Sequence, residues 1–281
     1  MYQNAKRTRL LVTEPMLVFT VLAFLAVLIS FDKANAASAG GGLGKIGNAL
    51  PAGVTFPTPV GILYPGLNVA AGVNAAALPG GKKVTSLQLA GAPALSDTDS
   101  TSYFGSLAFS NTNLGWSVGY TGSSGTTLTN GMFAGVGFNL GRINLGIGLR
   151  DTDLSGGFSP NVDIGLKIDM GKDFTFGAVA YTMDTTSASQ YAIGLGYGHR
   201  RKDNVELNVL TPAGGGSDYA MTFAATVYTG RFGTNFRTSY FMGSQSFSHT
   251  LGALYWLGEK LNVMLQLNTP KTLTVGLTWV F

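Results

Sequence analysis

The chain ends in the stretch T-L-T-V-G-L-T-W-V-F, residues 272–281. Apolar side chains stand at the odd-numbered positions from Leu273 to Phe281, and the small or polar residues Thr272, Thr274, Gly276 and Thr278 fall on the other face. This period of two predicts a β-strand with one apolar face. Chain termini usually fray in water, but the last strand of a closed membrane barrel has its backbone paired and its apolar face in hydrocarbon. The stretch therefore predicts a transmembrane β-strand.

The rest of the chain after Lys83 repeats this texture in short alternating runs. Most of the runs match the roughly 9–11 residues with which a tilted strand crosses a bilayer. The predicted strands lie at 84–92, 101–110, 114–121, 131–140, 142–150, 161–170, 173–182, 189–199, 204–211, 219–228, 231–241, 246–257, 260–268 and 272–281. We therefore predict an all-β protein, an antiparallel transmembrane β-barrel of about fourteen strands, with twelve or sixteen as alternatives.

The connections between the predicted strands alternate in length. Short turns such as 111–113 and 229–230 alternate with mostly longer segments such as 122–130 and 151–160. Membrane barrels place short turns in the periplasm and longer loops outside the cell. In this pattern, and in the terminal Phe281 after alternating apolar positions, the chain resembles bacterial outer-membrane β-barrels of the porin-like class. That resemblance implies that Phe281 is an assembly signal read by the barrel-assembly machinery.

The two faces of the predicted strands differ in chemistry. No charge stands on the apolar, outward parity of the middle strands, where each would be unfavourable by about 2–4 kcal/mol at the bilayer midplane. The inward parity carries the predicted lumen charges Arg142, Arg150, Asp163, Lys167, Asp169, Glu206, Arg231 and Arg237. Either these set ion preference or they pair across strands to stabilise the wall. A predicted aromatic girdle near the strand ends contains Trp116, Tyr120, Tyr181, Tyr240, Tyr255 and Trp279.

The N-terminus predicts export. A basic start at Lys6, Arg7 and Arg9 precedes an apolar run from 16 to 31, and Ala34-Asn35-Ala36 supplies a small-x-small cleavage pattern. We predict that 1–36 is a cleaved signal peptide rather than a retained anchor, and that the protein reaches the outer membrane of a Gram-negative-type cell. Removing four basic and two acidic residues from totals of 18 and 14 leaves a mature net charge of +2.

Composition narrows the function classes further. Only 11% of residues are charged, whereas soluble domains carry about 25%. No clustered basic face suggests nucleic-acid binding. Cysteine is absent, so disulfides and thiolate metal sites are excluded. No cofactor motif is found either, because glycine runs such as 194–198 are followed by no helical pattern.

Residues 37–83 form a Gly-, Ala- and Pro-rich segment before the barrel, which we predict to span 84–281. Five prolines interrupt any regular element there, and the only charges are Lys45, Lys82 and Lys83. Two interpretations stay open. The segment is a flexible periplasmic lead-in, or it is a plug that enters the lumen because it is too apolar for water.

A fourteen-stranded barrel preceded by such a segment also resembles the fatty-acid-transporter type of channel, whose N-terminus plugs the lumen. The stretch Asn74-Ala75-Ala76-Ala77-Leu78-Pro79 is similar to that family's Asn-Pro-Ala motif, although the proline after the asparagine is missing here. This weaker resemblance implies a plugged transporter of hydrophobic compounds.

Candidate catalytic and metal sites are few. His249, beside Ser248 and Thr250, is the one position that suggests an outer-membrane phospholipase, and no orienting third residue accompanies it. Asp97, Asp99, Asp151 and Asp153 fall in predicted outer loops, where carboxylates hold Ca²⁺ or are simply solvated. We therefore expect neither an enzyme nor a metal site.

The first functional expectation is a porin-like channel for passive diffusion of small solutes. The alternatives are a plugged transporter of hydrophobic compounds and a non-conducting structural or adhesive barrel. The expected partners are outer-membrane lipid, lipopolysaccharide, the barrel-assembly machinery and small solutes, and homo-oligomers are left open.

Overall fold

The computed structural model describes residues 61–81, 83–93, 101–124, 129–151, 154, 157, 159–181, 190–199, 202–211, 219–268 and 272–281. The predicted signal peptide at 1–36 and the first part of the Gly/Ala/Pro-rich segment, 37–60, lie outside these residues.

Fourteen β-strands follow one another along the chain, as predicted. They are β1 (Val84–Ala92), β2 (Thr101–Ser110), β3 (Leu114–Ser124), β4 (Thr129–Asn139), β5 (Ile143–Asp151), β6 (Asn161–Asp169), β7 (Phe174–Tyr181), β8 (Gln190–Gly198), β9 (Asn204–Leu210), β10 (Ala220–Thr229), β11 (Phe232–Phe241), β12 (Ser246–Trp256), β13 (Leu261–Asn268) and β14 (Thr272–Val280). Their bounds agree with the predicted ones to within a few residues, because the alternation of apolar and small residues ends where each strand ends.

Each strand pairs antiparallel with the next, and β1 pairs with β14 to close the barrel. At the closure Leu87 lies opposite Trp279, and Leu89 lies opposite Leu277. Closure leaves no free sheet edge, so every strand has hydrogen-bonded neighbours on both sides. The predicted fold class is therefore confirmed, with fourteen strands. The resemblance to outer-membrane barrels of the porin-like class is confirmed at the level of architecture.

The barrel has two distinct ends. One end, called the turn end, has the connections 111–113, 140–142, 170–173, 199–203, 230–231 and 257–260. Glycines with positive φ make several of these tight, for example Gly141 at 90° and Gly230 at 62°. The other end, called the loop end, has longer connections at 93–100, 152–160, 182–189 and 211–219. Its connection 125–128, predicted as the longer segment 122–130, has only four residues. Its last two connections, 242–245 and 269–271, are short, so the predicted length asymmetry weakens toward the C-terminus.

The outer and inner faces have opposite chemistry. Large apolar side chains are exposed on the outer face, for example Ile147 at 51% and Leu195 at 54%. Among the described strand residues, Asp151 at the loop end of β5 is the single Asp, Glu, Lys or Arg at an outward position of the alternation. It is only 5% exposed and accepts a hydrogen bond from the Ser159 N–H at 2.6 Å. An exposed apolar belt of this kind suits a hydrocarbon solvent and is unfavourable in water.

Two short helical elements precede β1, namely α1 (Ala70–Val73) and a 3-10 turn at Ala75–Ala77. No helix among the described residues combines the length and the apolar character needed to span a membrane. Both elements belong to the same compact unit of the chain as the barrel strands.

Candidate functional site

Residues 61–80, called the lumenal segment, are packed inside the barrel. All of residues 61–79 except Gly66 are buried, and Leu63 and Leu78 are 0% exposed. The apolar side chains of the lumenal segment share one hydrophobic cluster with inward-facing wall residues such as Phe104 and Phe133. Burial of these side chains is the main source of attraction between the segment and the wall.

Hydrogen bonds tie the lumenal segment to opposite walls. The Asn68 side-chain amide donates to the carbonyl oxygens of Ser86 on β1 and Ser106 on β2, at 3.0 and 3.1 Å. The backbone N–H groups of Leu63 and Tyr64 donate to Glu206 on β9. Strands β2 and β9 are separated by seven positions in a closed ring of fourteen, so they face each other across the lumen. The lumenal segment therefore crosses the full width of the barrel interior.

Glu206 is the anchor on β9. Its Oε2 accepts from Leu63 N at 3.2 Å and from Tyr64 N at 3.0 Å, and its Oε1 accepts from Asn208 Nδ2 at 2.6 Å. A Cβ atom added at Gly61 would overlap the carboxylate, so the segment backbone lies directly against it. Glu206 is 3% exposed, and a buried carboxylate is tolerated because these donors replace water.

Asn74 braces the lumenal segment internally. Its side chain donates to the Ile62 carbonyl oxygen at 2.8 Å and accepts from Ala76 N at 3.1 Å. These bonds join the early part of the segment to its last turn and cap the 3-10 element at Ala75–Ala77. At 1% exposure Asn74 organises the segment from its centre. It is the same residue that opens the stretch resembling the fatty-acid-transporter motif.

Glycines line the wall under the lumenal segment. A Cβ at Gly115 would lie 2.6 Å from the Leu78 carbonyl carbon, and one at Gly135 would lie 2.9 Å from Ala71 Cβ. Side chains at these inward positions of β3–β8 would collide with the segment. The other glycines of this wall that approach it closely are Gly137, Gly146, Gly148, Gly165, Gly177, Gly194 and Gly196. The glycine-rich runs 146–148 and 194–196 thus make room for a second layer of chain rather than bind a nucleotide.

Six of the eight predicted lumen charges face inward, and they form four groups. Arg150 and Asp163 form a buried ion pair through two contacts, with Nη2 and Oδ1 at 3.0 Å. Lys167 lies 3.7 Å from Asp169 and 6.0 Å from the centre of the Tyr64 ring. Glu206 holds the lumenal segment. Arg237, which donates to Thr250 Oγ1 at 3.2 Å, is described below.

Two of the predicted lumen charges are not in the lumen. Arg142 and Arg231 are exposed in turn-end connections, each one residue before its strand begins. The alternation of inward and outward positions does not extend into a turn, where the backbone leaves the sheet. These two predictions are therefore wrong.

The predicted aromatic girdle is placed mostly on the outer face near the strand ends. Tyr120 is 37% exposed, Tyr255 is 46% exposed and Trp279 is 53% exposed. Trp116 stacks on Phe109, and Tyr240 packs on Phe247 with ring centroids 4.8 Å apart. Phe281 continues this surface, with its ring 5.5 Å from that of Trp279. Whether Phe281 acts as an assembly signal stays a prediction.

Tyr181 is the exception among the girdle residues. It is 2% exposed, faces inward, and donates its hydroxyl hydrogen to the Val73 carbonyl oxygen at 2.8 Å. Its ring also lies 5.3 Å from the Arg150 guanidinium carbon. Its parity on β7 is inward, and the position near a strand end alone was misleading. Tyr181 therefore belongs to the contact between wall and lumenal segment.

Of the catalytic and metal candidates, the structure describes His249 and its neighbours on β12, and Asp151 on β5. His249 faces outward and stacks on Phe247 with ring centroids 6.0 Å apart, whereas Ser248 and Thr250 face the opposite side of β12. Asp97, Asp99 and Asp153 lie outside the described residues. Within the described ranges, no group of three or more His, Asp or Glu side chains could hold a metal ion.

Several functional residues were not singled out from the sequence. Tyr64 and Asn68 lie in a Gly- and Pro-rich run whose pattern predicts no regular element, and Phe133 stands among glycines on β4. The available signal was indirect: an apolar, nearly uncharged segment precedes a barrel whose inward positions on β4–β8 are largely glycine. Such a wall leaves a space that something apolar has to fill.

Among known proteins, the chain is similar to solved structures of a porin at low sequence identity. No family model matches the chain, and no curated protein matches it. Among solved structures, a triple mutant of the Rhodopseudomonas blastica porin is similar with 10% identity and a TM-score of 0.43, over 71% of this chain and 98% of that chain. Another mutant of that porin has 10% identity and a TM-score of 0.45 over the same shares. The fold assignment itself rests on the closed strand pairing of this chain.

Proposed function

We propose that this protein is an outer-membrane channel for small solutes whose lumen is restricted by its own residues 61–80. The observation that carries the proposal is the attachment of the lumenal segment to opposite walls, through Asn68 on one side and Glu206 on the other. A segment bonded to both walls narrows the lumen. Solutes pass when the segment moves aside or through the space left beside it.

The surface chemistry supports the membrane location. The outer face is apolar between two sets of aromatic residues, as bilayer-spanning barrels require. We place the turn end in the periplasm, since short connections collect there and the chain both enters β1 and leaves β14 at that end. The loop end then faces outward, toward lipopolysaccharide.

A reducible cross-link tests whether the segment restricts flow. The chain has no cysteine, and Ser86 Oγ donates to Asn68 Oδ1 at 2.7 Å, so Asn68→Cys with Ser86→Cys creates one defined disulfide between segment and wall. We expect proteoliposomes of the oxidised protein to swell more slowly in a small sugar than those of the reduced protein. Asn68→Cys alone is the control and should not respond to reductant. Equal swelling rates in both redox states would contradict the proposal.

A second candidate function is passage of hydrophobic compounds. Five apolar inward residues on adjacent strands form one register row near the loop end: Val179, Ala192, Leu210, Ala220 and Phe241. Each is at most 3% exposed, and all belong to the cluster that includes the lumenal segment. When the lumenal segment moves aside, this row presents an apolar solute with a continuous contact surface near the loop end of the barrel.

Leu210→Asn tests the second candidate. It should slow uptake of a small aromatic compound into proteoliposomes more than uptake of a sugar of similar size. Leu207→Asn on the outer face of the same strand serves as the control for a polar change on β9, because Leu207 is 47% exposed and faces away from the lumen. Equal slowing of both solutes by Leu210→Asn would remove the hydrophobic candidate.

A further inference from the structure

Among the described inward-facing charges, Arg237 on β11 is the one that neither pairs with an opposite charge nor binds the lumenal segment. The other described inward-facing charges are Arg150, Asp163, Lys167, Asp169 and Glu206, which lie on β5, β6 and β9. Those charges pair with each other or bind the lumenal segment. Arg237 lies apart from them, and no carboxylate among the described residues is within 4.0 Å of it.

The sequence around Arg237 offers it no acidic partner. Between Tyr219 and Phe281 the only acidic residue is Glu259, which lies in the turn-end connection between β12 and β13. A guanidinium taken out of water is unfavourable by several kcal/mol when no counter-charge accompanies it. Arg237 is partly buried and has no described counter-charge within 4.0 Å, so it is a candidate binding group.

Glu206 is the nearest carboxylate in the sheet register, and the two side chains turn away from each other. Both residues lie opposite Ala224, so two strand spacings, roughly 9–10 Å, separate their backbones. Glu206 binds the Leu63 and Tyr64 amides, whereas Arg237 Nη2 donates to Thr250 on β12, the strand on its far side. The described hydrogen bonds of the Glu206 carboxylate therefore go to the lumenal segment and to Asn208, and none goes to Arg237.

Polar groups surround Arg237 on β11, β12 and β13. Asn235 and Gln266 are both 2% exposed, and Thr250 is also 2% exposed. Gly252 stands between Asn235 and Gln266 in register, and a Cβ there would lie 2.8 Å from the Asn235 side-chain carbon Cγ. The missing side chain therefore leaves room for the Asn235 amide to extend along the wall toward Gln266.

This cluster has unused hydrogen-bonding capacity. Arg237 Nε, Asn235 Oδ1 and Gln266 Oε1 are buried without a hydrogen-bond partner in the described part of the chain. Buried polar atoms in folded proteins nearly always have partners, so several orphaned atoms together indicate a missing one. An amide can present either its NH₂ or its oxygen after rotation, and the guanidinium presents donors only.

We propose that Arg237, together with Asn235, Thr250 and Gln266, binds the anionic group of a small solute. The chemical class is a compact oxyanion, a carboxylate or a phosphate, because the fork of the guanidinium matches two oxygens of either group. That the solute is transported rests on the proposed channel function. Binding of the anion at Arg237 does not depend on that function, so the test measures binding without transport.

The test measures thermal unfolding of the full chain in detergent micelles. Sodium phosphate and sodium acetate are titrated separately against sodium chloride at equal ionic strength, which removes screening effects. We expect one or both oxyanions to raise the melting temperature saturably in the wild-type protein. The rise should disappear in Arg237→Gln and persist in Arg142→Gln, a matched change at an exposed turn.

The outcomes distinguish phosphate from carboxylate as the bound group, and they distinguish anion binding from the channel function. Response to phosphate alone identifies phosphate as the anionic group, and response to acetate alone identifies carboxylate; both support the site. Equal oxyanion responses in wild type and Arg237→Gln, or no response in the wild type, would overturn it. Arg237→Lys covers the case in which Arg237→Gln does not fold, since it keeps the charge and should bind more weakly than wild type. If the protein transports no solute but its melting temperature still rises saturably with the oxyanion, the binding site is supported and the transport proposal is contradicted.

Discussion

The carboxylate of Glu206 accepts a hydrogen bond from the backbone N–H of Tyr64 at 3.0 Å, deep inside a closed barrel. Strand β9 thereby holds a part of the chain that lies 142 residues earlier in sequence. A charge-assisted bond of this kind is stronger than a neutral one, and leaving its partners unsatisfied is unfavourable. The relationship turns a lumen charge into an anchor for the lumenal segment.

Removing that anchor should loosen the segment. In Glu206→Ala the Leu63 and Tyr64 amides lose their acceptor, which should lower the free energy of unfolding by about 1–3 kcal/mol. Limited proteolysis of the folded protein should also cleave the lumenal segment faster. Glu206→Gln keeps an oxygen acceptor in the same place and should fall between wild type and alanine. Identical proteolysis rates for all three proteins would show that the anchor is unimportant.

The inward-facing glycines of β3–β8 lie against the lumenal segment, so we expect that a larger residue at Gly146 does not fit. In Gly146→Ala the new Cβ would overlap the Ala75 carbonyl carbon and the Ala76 nitrogen, so the segment has to shift. We expect a loss of about 1–3 kcal/mol in unfolding free energy, as overpacking commonly produces.

Gly105→Ala is the matched control on the outer face. Its Cβ would lie 3.4 Å from the nearest atom, Leu89 Cδ2, which is an ordinary contact distance. Unfolding in denaturant, monitored by tryptophan fluorescence in micelles, compares the two variants. A Gly146→Ala protein as stable as Gly105→Ala would mean that the segment does not press on this wall.

The buried pair of Arg150 and Asp163 should behave as a unit. Arg150→Met alone leaves the Asp163 carboxylate buried and unpaired, which we expect to lower the unfolding free energy by about 3–5 kcal/mol. The double variant Arg150→Met with Asp163→Leu should lose less than the sum of the two single changes. Arg142→Gln, at an exposed turn, should be near neutral. Additive losses in the double variant would argue against a coupled pair.

The C-terminal strand carries an assembly prediction. The Phe281 side chain is 61% exposed beside Trp279, and the hydrogen bond from its backbone N–H to the Thr85 carbonyl oxygen at 2.8 Å does not depend on the side chain. Phe281→Ala should therefore leave the stability of the refolded barrel nearly unchanged while lowering the amount assembled in cells. Heat-dependent mobility on electrophoresis measures both quantities. Normal cellular assembly of Phe281→Ala would remove the predicted signal.

The strands could be predicted from the sequence because each follows a local rule. Alternation needs only neighbouring residues, so the limits of β1 and β2 match those predicted. The same rule failed at Arg142 and Arg231, where it was extended one residue past the strand into a turn. At Tyr181 the alternation is the better guide than nearness to a strand end, because the residue occupies an inward position of β7 and is 2% exposed.

The lumenal segment could not be predicted with the same certainty because its contacts are not local. Asn68 meets Ser106, and Leu63 meets Glu206, across separations of 38 and 143 residues. No periodic pattern within 61–80 encodes these contacts. The glycines at the inward positions of β4–β8 indicate only that the wall leaves space in the lumen for another part of the chain. Only the three-dimensional arrangement shows that residues 61–80 lie in that space.

Single-channel conductance measures whether residues 61–80 restrict the lumen. Full-length protein and a variant lacking 61–80 are compared in planar bilayers, with Glu206→Gln as a folded variant that keeps the whole segment. The account predicts small or rare steps for the full-length protein, larger and persistent steps for the deletion, and intermediate behaviour for Glu206→Gln. Steps of equal size and frequency in all three proteins would contradict it.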